Sequence, residues 1–224
     1  MKTCFVTGAG TELGKTHVAC ALLRVARALG SRVDALKPIA SGLSEADLEE
    51  SDPGRLLAAM GRQATREAVE AMCPWRFTAP LAPPQAAALE GKELDPQAIA
   101  AFCRARVAAR GSDLLLIEGA GGLMSPIAER FTCLDLIAAL DLPSLFVTGS
   151  YLGAVSHTLS GLELMRHKGL AVEALVISES ADGVGAEETA GMIRWFRQDL
   201  PIVIAPRGGS EDWAAALTAK LGLS

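Results

Sequence analysis

Residues 4–23 read CFVTGAGTELGKTHVACALL. A short apolar run, a glycine-rich turn and an amphipathic stretch follow one another, which is the setting in which a phosphate-binding loop opens a helix. The spacing differs from the P-loop pattern by one residue. Counting back from Gly14-Lys15-Thr16, the place of the first glycine falls on Ala9, with Gly8 and Gly10 on either side. Either the loop is one residue longer than usual, or the segment is a glycine turn with an incidental Gly-Lys-Thr. In a phosphate loop, backbone N–H groups and the helix N-terminus face an anion, Lys15 brings a compact charge to the β/γ-phosphates and Thr16 offers a hydroxyl to Mg²⁺.

Outward from this loop, β-rich apolar runs alternate with helical patterns. The strand candidates are TCFVT (3–7), RVDALK (32–37), LLLIEG (114–119), PSLFVTG (143–149), EALVIS (173–178) and PIVIA (201–205). Their continuous apolarity suits strands covered on both sides. Val18, Leu22, Val25 and Leu29 fall on one helical face, and Gly30 follows as a C-terminal cap. Further helices are expected over 95–109, 133–140, 153–169 and 187–198. The expected fold is α/β, P-loop NTPase-like, with a mostly parallel central sheet and helices on both faces, over a single domain of residues 1–224. The proline-rich CPWRFTAPLAPP (73–84) contains Trp75 and Phe77 and is expected to pack on the body as a structured loop.

A net charge of −5 with scattered lysines and arginines offers no general attraction to nucleic acid or anionic lipid. Five cysteines without a Cys-x-x-Cys pair argue against a disulfide framework and point to a reducing cytoplasm. His17, His157 and His167 lack metal-ligand spacing. No apolar run reaches membrane length, and the N-terminal run is too short for a signal peptide.

Competing motifs fall short. A dinucleotide site would use Gly8-x-Gly10 and Asp34, but the third glycine is replaced by Leu13. A partition-type or division-site ATPase would carry a second lysine where Gly10 stands. By contrast, FVTGAGTELGKT (5–16), LKPIASG (36–42) and LIEGAGG (116–122) together resemble the dethiobiotin synthetases, in which the longer phosphate loop is a family feature. The resemblance extends over essentially the whole chain and includes the proline-rich segment and a Leu-Gly pair, Leu152-Gly153, opening a helix.

The resemblance implies a ligase that joins CO₂ to 7,8-diaminononanoate with ATP, through a carbamate and a carbamic-phosphoric anhydride, to close a cyclic urea. It implies that amides of Glu12, Leu13, Gly14, Lys15 and Thr16 hold the phosphates, with Ser178, Pro206, Arg207 and Gly208 completing the nucleotide site. Lys15, Lys37 and Glu12 become the catalytic set, with Thr11 and Ser41 on the substrate. Mg²⁺ falls to Thr16, Asp52 and Glu118. From local sequence alone, Asp52 reads equally as a turn or cap residue, and Lys37 as a solvated loop lysine. Amides of Leu152, Gly153, Ala154 and Val155 would hold the tail carboxylate of a substrate bound to a neighbouring subunit, which implies a homodimer. Related amide-forming synthetases and a non-catalytic nucleotide-binding module remain as alternatives.

Five positions depart from the family pattern. Members often have an acidic residue at Gly10 and a basic one at Tyr151, and Ala82 and Pro84 stand where serine and histidine are common. Ser178 replaces the asparagine with which many members read adenine, so base selectivity is expected to be weak; as an alternative, Ser178 simply ends its strand.

Overall fold

The structure is a computed structural model that describes residues 1–44 and 46–223. The first half of the chain forms β1 (Lys2–Gly8), α1 (Lys15–Ala28), β2 (Val33–Leu36), β3 (Ile39–Ser41), α2 (Asp52–Ala59), α3 (Arg66–Met72), β4 (Trp75–Phe77), α4 (Pro83–Leu89) and α5 (Pro96–Ala109). The second half forms β5 (Leu114–Glu118), β6 (Pro126–Ala128), β7 (Phe131–Thr132), α6 (Cys133–Leu140), β8 (Ser144–Gly149), α7 (Ala154–His167), β9 (Val172–Ser178), α8 (Ala186–Arg194), β10 (Ile202–Ala205) and α9 (Asp212–Lys220).

Six strands make one sheet in the order β10-β9-β8-β1-β5-β2, and every pair in it is parallel. The continuous apolar runs have their physical reason here. Along β1, Cys4 and Val6 enter a core shared with α1, α2 and α9, while Phe5 enters a second core shared with α5 to α8. In β5, Leu114 and Leu116 face the first core and Leu115 and Ile117 the second. Each fully buried leucine or phenylalanine of this kind stabilises the fold by about 1.5–3 kcal/mol. All six strand candidates lie in this sheet.

Helix α1 runs to Ala28, one residue short of the expected apolar face. Leu29 is its C-cap and is exposed, whereas Ala19, Leu23 and Ala26 join Val18 and Leu22 in the core. Gly30, at φ +88°, closes the helix: its N–H donates to the Arg27 carbonyl and that of Ser31 to the Ala26 carbonyl, a Schellman arrangement. The proline-rich segment is structured, as expected. Its strand β4 pairs with β3, Phe77 is buried, and Trp75 meets Phe102 edge-on at 5.8 Å.

The chain passes from β1 outward to β2 at one edge, returns to β5, then crosses β1 to β8 and the far edge. The order reverses at β1, so a crevice opens at the carboxyl ends of β1, β5 and β8, where open parallel sheets bind ligands. The glycine-rich loop, Lys37 and Glu118 all emerge at this edge.

Candidate active site

The loop between β1 and α1 begins with a close approach. A Cβ on Gly8 would stand 2.3 Å from the carbonyl oxygen of Val147, so only glycine lets β1 leave the sheet beside β8. Glu12 and Gly14 then take left-handed conformations, at φ +58° and +86°. These turns wind the chain into α1, and the amides of Glu12 through Thr16 meet no acceptor among the described residues. Five unpartnered N–H groups at a helix start form an anion site. Lys15 lies buried over the loop with its ammonium on the Gly10 carbonyl at 2.7 Å. Burial and the nearby Lys37 hold the Lys15 ammonium below the ordinary lysine range.

Lys37, the residue after β2, is also buried. Its Nζ donates to Glu118 Oε1 at 2.5 Å and to the Gly119 carbonyl at 3.1 Å, and it pairs with Asp52 Oδ2 at 3.1 Å. Burial alone would lower its pKa, but Glu118 and Asp52 together raise it above the ordinary lysine value. Asp52 is the first residue of α2, while Ser51 is the residue that caps it, so the capping alternative does not hold for Asp52. Against the cost of partial burial, Lys37 and Thr16 hold the Asp52 carboxyl below its ordinary value. The Thr16 hydroxyl donates to Glu118 Oε1 at 2.8 Å. Glu118 Oε2 is buried without a partner among the described residues.

Thr16, Asp52 and Glu118 therefore converge on one point, occupied by the ammonium of Lys37. Among the described residues no cluster of three or more histidine, cysteine, aspartate and glutamate side chains is present. Two carboxylates and a hydroxyl instead make a sparse, hard-oxygen set, which suits Mg²⁺ that keeps water and phosphate ligands. The orphaned Glu118 oxygen and the cation already seated there both fit such an ion.

Two cavities flank this point. One, of about 490 Å³, is lined by Thr11, Glu12, Lys37, Ser41, Asp52, Pro83, Gly121 and Ser125. The Ser41 hydroxyl is buried there without a partner among the described residues. The other, of about 590 Å³, brings together Glu12, Leu13, Gly14, Ser178, Pro206, Arg207 and Gly208, with Glu179, His17 and Arg55 at its walls. Glu12 lines both cavities, so the loop separates two compartments. Leu152, Gly153, Ala154 and Val155 line neither. Of that group Ala154 has its N–H committed to the Tyr151 carbonyl at 2.9 Å, so the expected set of free amides is smaller by one.

Asp34 is paired with Arg106 at 2.7 Å and Arg62 at 3.3 Å, which leaves it no ribose-binding part. Two contributors have no local signature in the sequence. The Gly119 carbonyl receives Lys37, and Glu179 accepts the Arg207 N–H at 2.9 Å. The glycines of the 119–122 loop have a steric reason: a Cβ on Gly122 would lie 2.9 Å from the Gly10 Cα.

A family model described as an AAA domain matches residues 2–204. "ATP-dependent dethiobiotin synthetase BioD" of Caulobacter vibrioides strain NA1000 / CB15N is 50% identical over 212 residues, 95% of each chain. The protein of that name from Phenylobacterium zucineum strain HLK1 is 46% identical over 223 residues, covering 99% of this chain and 95% of its own. Among solved structures, the Aquifex aeolicus MinC:MinD cell division complex superposes with a TM-score of 0.58 at 10% identity, over 96% of this chain and 86% of that one. FtsY of Thermotoga maritima gives 0.53 at 15%, over 98% and 68%. At these identities the structural likeness concerns the fold alone.

Proposed function

The chain belongs to the ATP-dependent dethiobiotin synthetase family and is an ATP-dependent ligase, and from that premise we propose how its residues perform the reaction. The substrates are 7,8-diaminononanoate, CO₂ and ATP. One substrate amine adds to CO₂ and loses a proton, giving a carbamate. A carbamate oxygen takes the γ-phosphoryl group and ADP leaves. The second amine attacks the carbamate carbon, expels phosphate and closes the cyclic urea.

Four side chains at one point carry this assignment of roles: Lys37, Glu118, Asp52 and Thr16, at the junction of the phosphate loop and the 490 Å³ cavity. The loop amides and Lys15 bind the phosphates and neutralise charge on the transferring group. Lys37 reaches from its carboxylate cage into the cavity to hold the carbamate, and Thr11, Glu12 and Ser41 orient the diamine. Thr16, Asp52 and Glu118 would hold Mg²⁺, which would supply charge neutralisation for the phosphates. Leu13, Gly14, Ser178, Pro206, Arg207 and Gly208 enclose the nucleoside.

Leu152–Val155 lie off both cavities, which supports service to a second copy of the chain, in a homodimer with shared sites. No helix among the described residues is long and apolar enough to cross a membrane. The five free cysteines are buried, in keeping with a reducing cytoplasm, and the net charge of −5 gives no pull towards nucleic acid.

The test is incubation with ATP, Mg²⁺, bicarbonate and diaminononanoate, with mass detection of dethiobiotin and one ADP per product. Nucleotide turnover without dethiobiotin would overturn the acceptor assignment. For the shared site, a Lys37 variant and a Gly153 variant, each inactive alone, should restore activity when mixed.

A further inference from the structure

A cavity of about 660 Å³ opens at the amino ends of β1 and β8, the opposite edge of the sheet from the phosphate loop. Strand β1 runs from one to the other, a distance of about 20 Å at the rise of a strand. The cavity lies between the last turns of α5 and α6. Its floor is apolar: Val107, Leu140 and Leu142 fringe the second core and are only half-buried. Its rim is cationic, with Lys2, Arg104 and Arg110, and no aspartate or glutamate among the described residues lines it.

Two of these charges have no counter-ion. Lys2 is neutralised by Glu173 at 2.8 Å. Arg104 donates from Nη1 to the Ala139 carbonyl at 3.3 Å, and neither it nor Arg110 has a carboxylate partner among the described residues. The half charge at a helix C-terminus offsets only part of each guanidinium. Arg110 is also held in the left-handed region, at φ +47° and ψ +36°, as the C-cap of α5. Glycine takes such a position freely, whereas an arginine there is strained, and strain of this kind concentrates where a side chain has a function. Inorganic phosphate would meet the guanidinium groups and leave the leucine floor in water. A neutral hydrocarbon would cover the floor and strip water from charges it cannot pair. A carboxylate on an aliphatic chain satisfies both, the headgroup on a guanidinium and the chain along Val107, Leu140 and Leu142.

We propose that this cavity is a second small-molecule site, apart from the catalytic crevice, and that it binds a medium-chain aliphatic carboxylate. Two sources carry that chemistry: a free fatty acid and, on the reading above, the enzyme's own product dethiobiotin. Titration with octanoate, followed by methyl NMR and calorimetry, should shift the Val107, Leu140 and Leu142 resonances, while octylamine and inorganic phosphate shift none of them. The double variant Arg104→Gln/Arg110→Gly, changed at two exposed positions, should bind octanoate at least about tenfold more weakly. Its kcat/KM for ATP in dethiobiotin formation should stay at the parent value. The same titration with dethiobiotin identifies the source: tighter binding than octanoate at these three methyls assigns the site to the product, and weaker binding assigns it to a fatty acid. Absence of shifts at the three methyls with millimolar octanoate, an unchanged octanoate Kd in the double variant, or equal binding of octylamine overturns the proposal. Failure to form dethiobiotin would instead refute the proposed reaction, and the octanoate series would still decide whether the site exists.

Discussion

Lys37 and Glu118 meet because of strand register. Leu36 of β2 pairs with Ile117 of β5, so the next residue on each strand is the lysine and the glutamate, and their side chains close at 2.5 Å. Both are buried, and the pair sits where the three proposed metal ligands converge.

Replacing Lys37 by methionine removes one partner of this buried pair and leaves Glu118 and Asp52 uncompensated. The unliganded protein should lose about 3 kcal/mol of stability in urea melts, the lower end for breaking such a pair. Mg²⁺ should restore more of it in the variant than in the parent, because the ion no longer competes with an ammonium. Turnover should fall on the order of 10²–10³-fold. Equal Mg²⁺ responses in the two proteins would mean that Lys37 does not stand in the metal's place.

Glu118→Gln keeps the side-chain shape and removes the anion. The Mg²⁺ concentration for half-maximal activity should rise at least about tenfold, equivalent to about 1.4 kcal/mol. Thr16→Val should shift the same titration through loss of a hydroxyl ligand. Superimposable titrations for parent and both variants would rule out this ligand set.

Lys15 makes a statement about pH. Burial and Lys37 lower its pKa in the free protein, so the charge on Lys15 disfavours folding, and that cost fades as the pH rises through the lowered value. Phosphate binding favours the charged form and raises the pKa. Between the two values, nucleotide binding must take up a proton. Calorimetry in buffers of different ionisation enthalpy, run as a pH series below the free-lysine value of about 10.4, should show net uptake that grows as the pH rises towards that value and disappears in Lys15→Met.

Gly14→Ala faces two penalties: the left-handed backbone at φ +86° and a contact of 2.4 Å with Ser178 Oγ. It should cost about 1–3 kcal/mol and weaken nucleotide binding. Adding Ser178→Gly removes the contact and leaves the backbone strain, so the double variant should recover part of the stability. Full additivity of the two changes in denaturant melts would show that the contact carries no energy.

The six strands of the main sheet were legible in the sequence because strands buried on both faces are continuously apolar, a signal that needs no tertiary context. Helices α2, α3, α4 and α9 were not, since seven to nine residues give about two turns of periodicity; α6 is as short but legible because all its residues except Asp135 are apolar. The short pair β3 and β4 joins segments over thirty residues apart, which no local pattern announces. Within the site, the glycines, Lys15 and Thr16 stand together in one motif. Lys37, Asp52 and Glu118 are distant in sequence; Lys37 and Asp52 rest on resemblance, whereas Glu118 also ends a strongly apolar strand at the carboxyl edge of the sheet, where open α/β folds bind ligands. Their meeting depends on β2 pairing with β5, and the Glu179 contact with Arg207 depends on β9 lying beside β10.

The cysteines divide between the two cores, Cys4, Cys20 and Cys73 on one face of the sheet and Cys103 and Cys133 on the other. Burial pushes the first three and Cys103 up to about 12 and Cys133 to about 11. At neutral pH such thiols react with a disulfide reagent only when the chain opens around them. The molecule thus carries a clock on each side of its sheet. Labelling followed by peptide mass analysis times the opening of each face separately, and a nucleotide that grips the loop at the start of α1 slows Cys20 more than Cys103 if the two layers breathe independently, or both alike if the sheet opens as one unit.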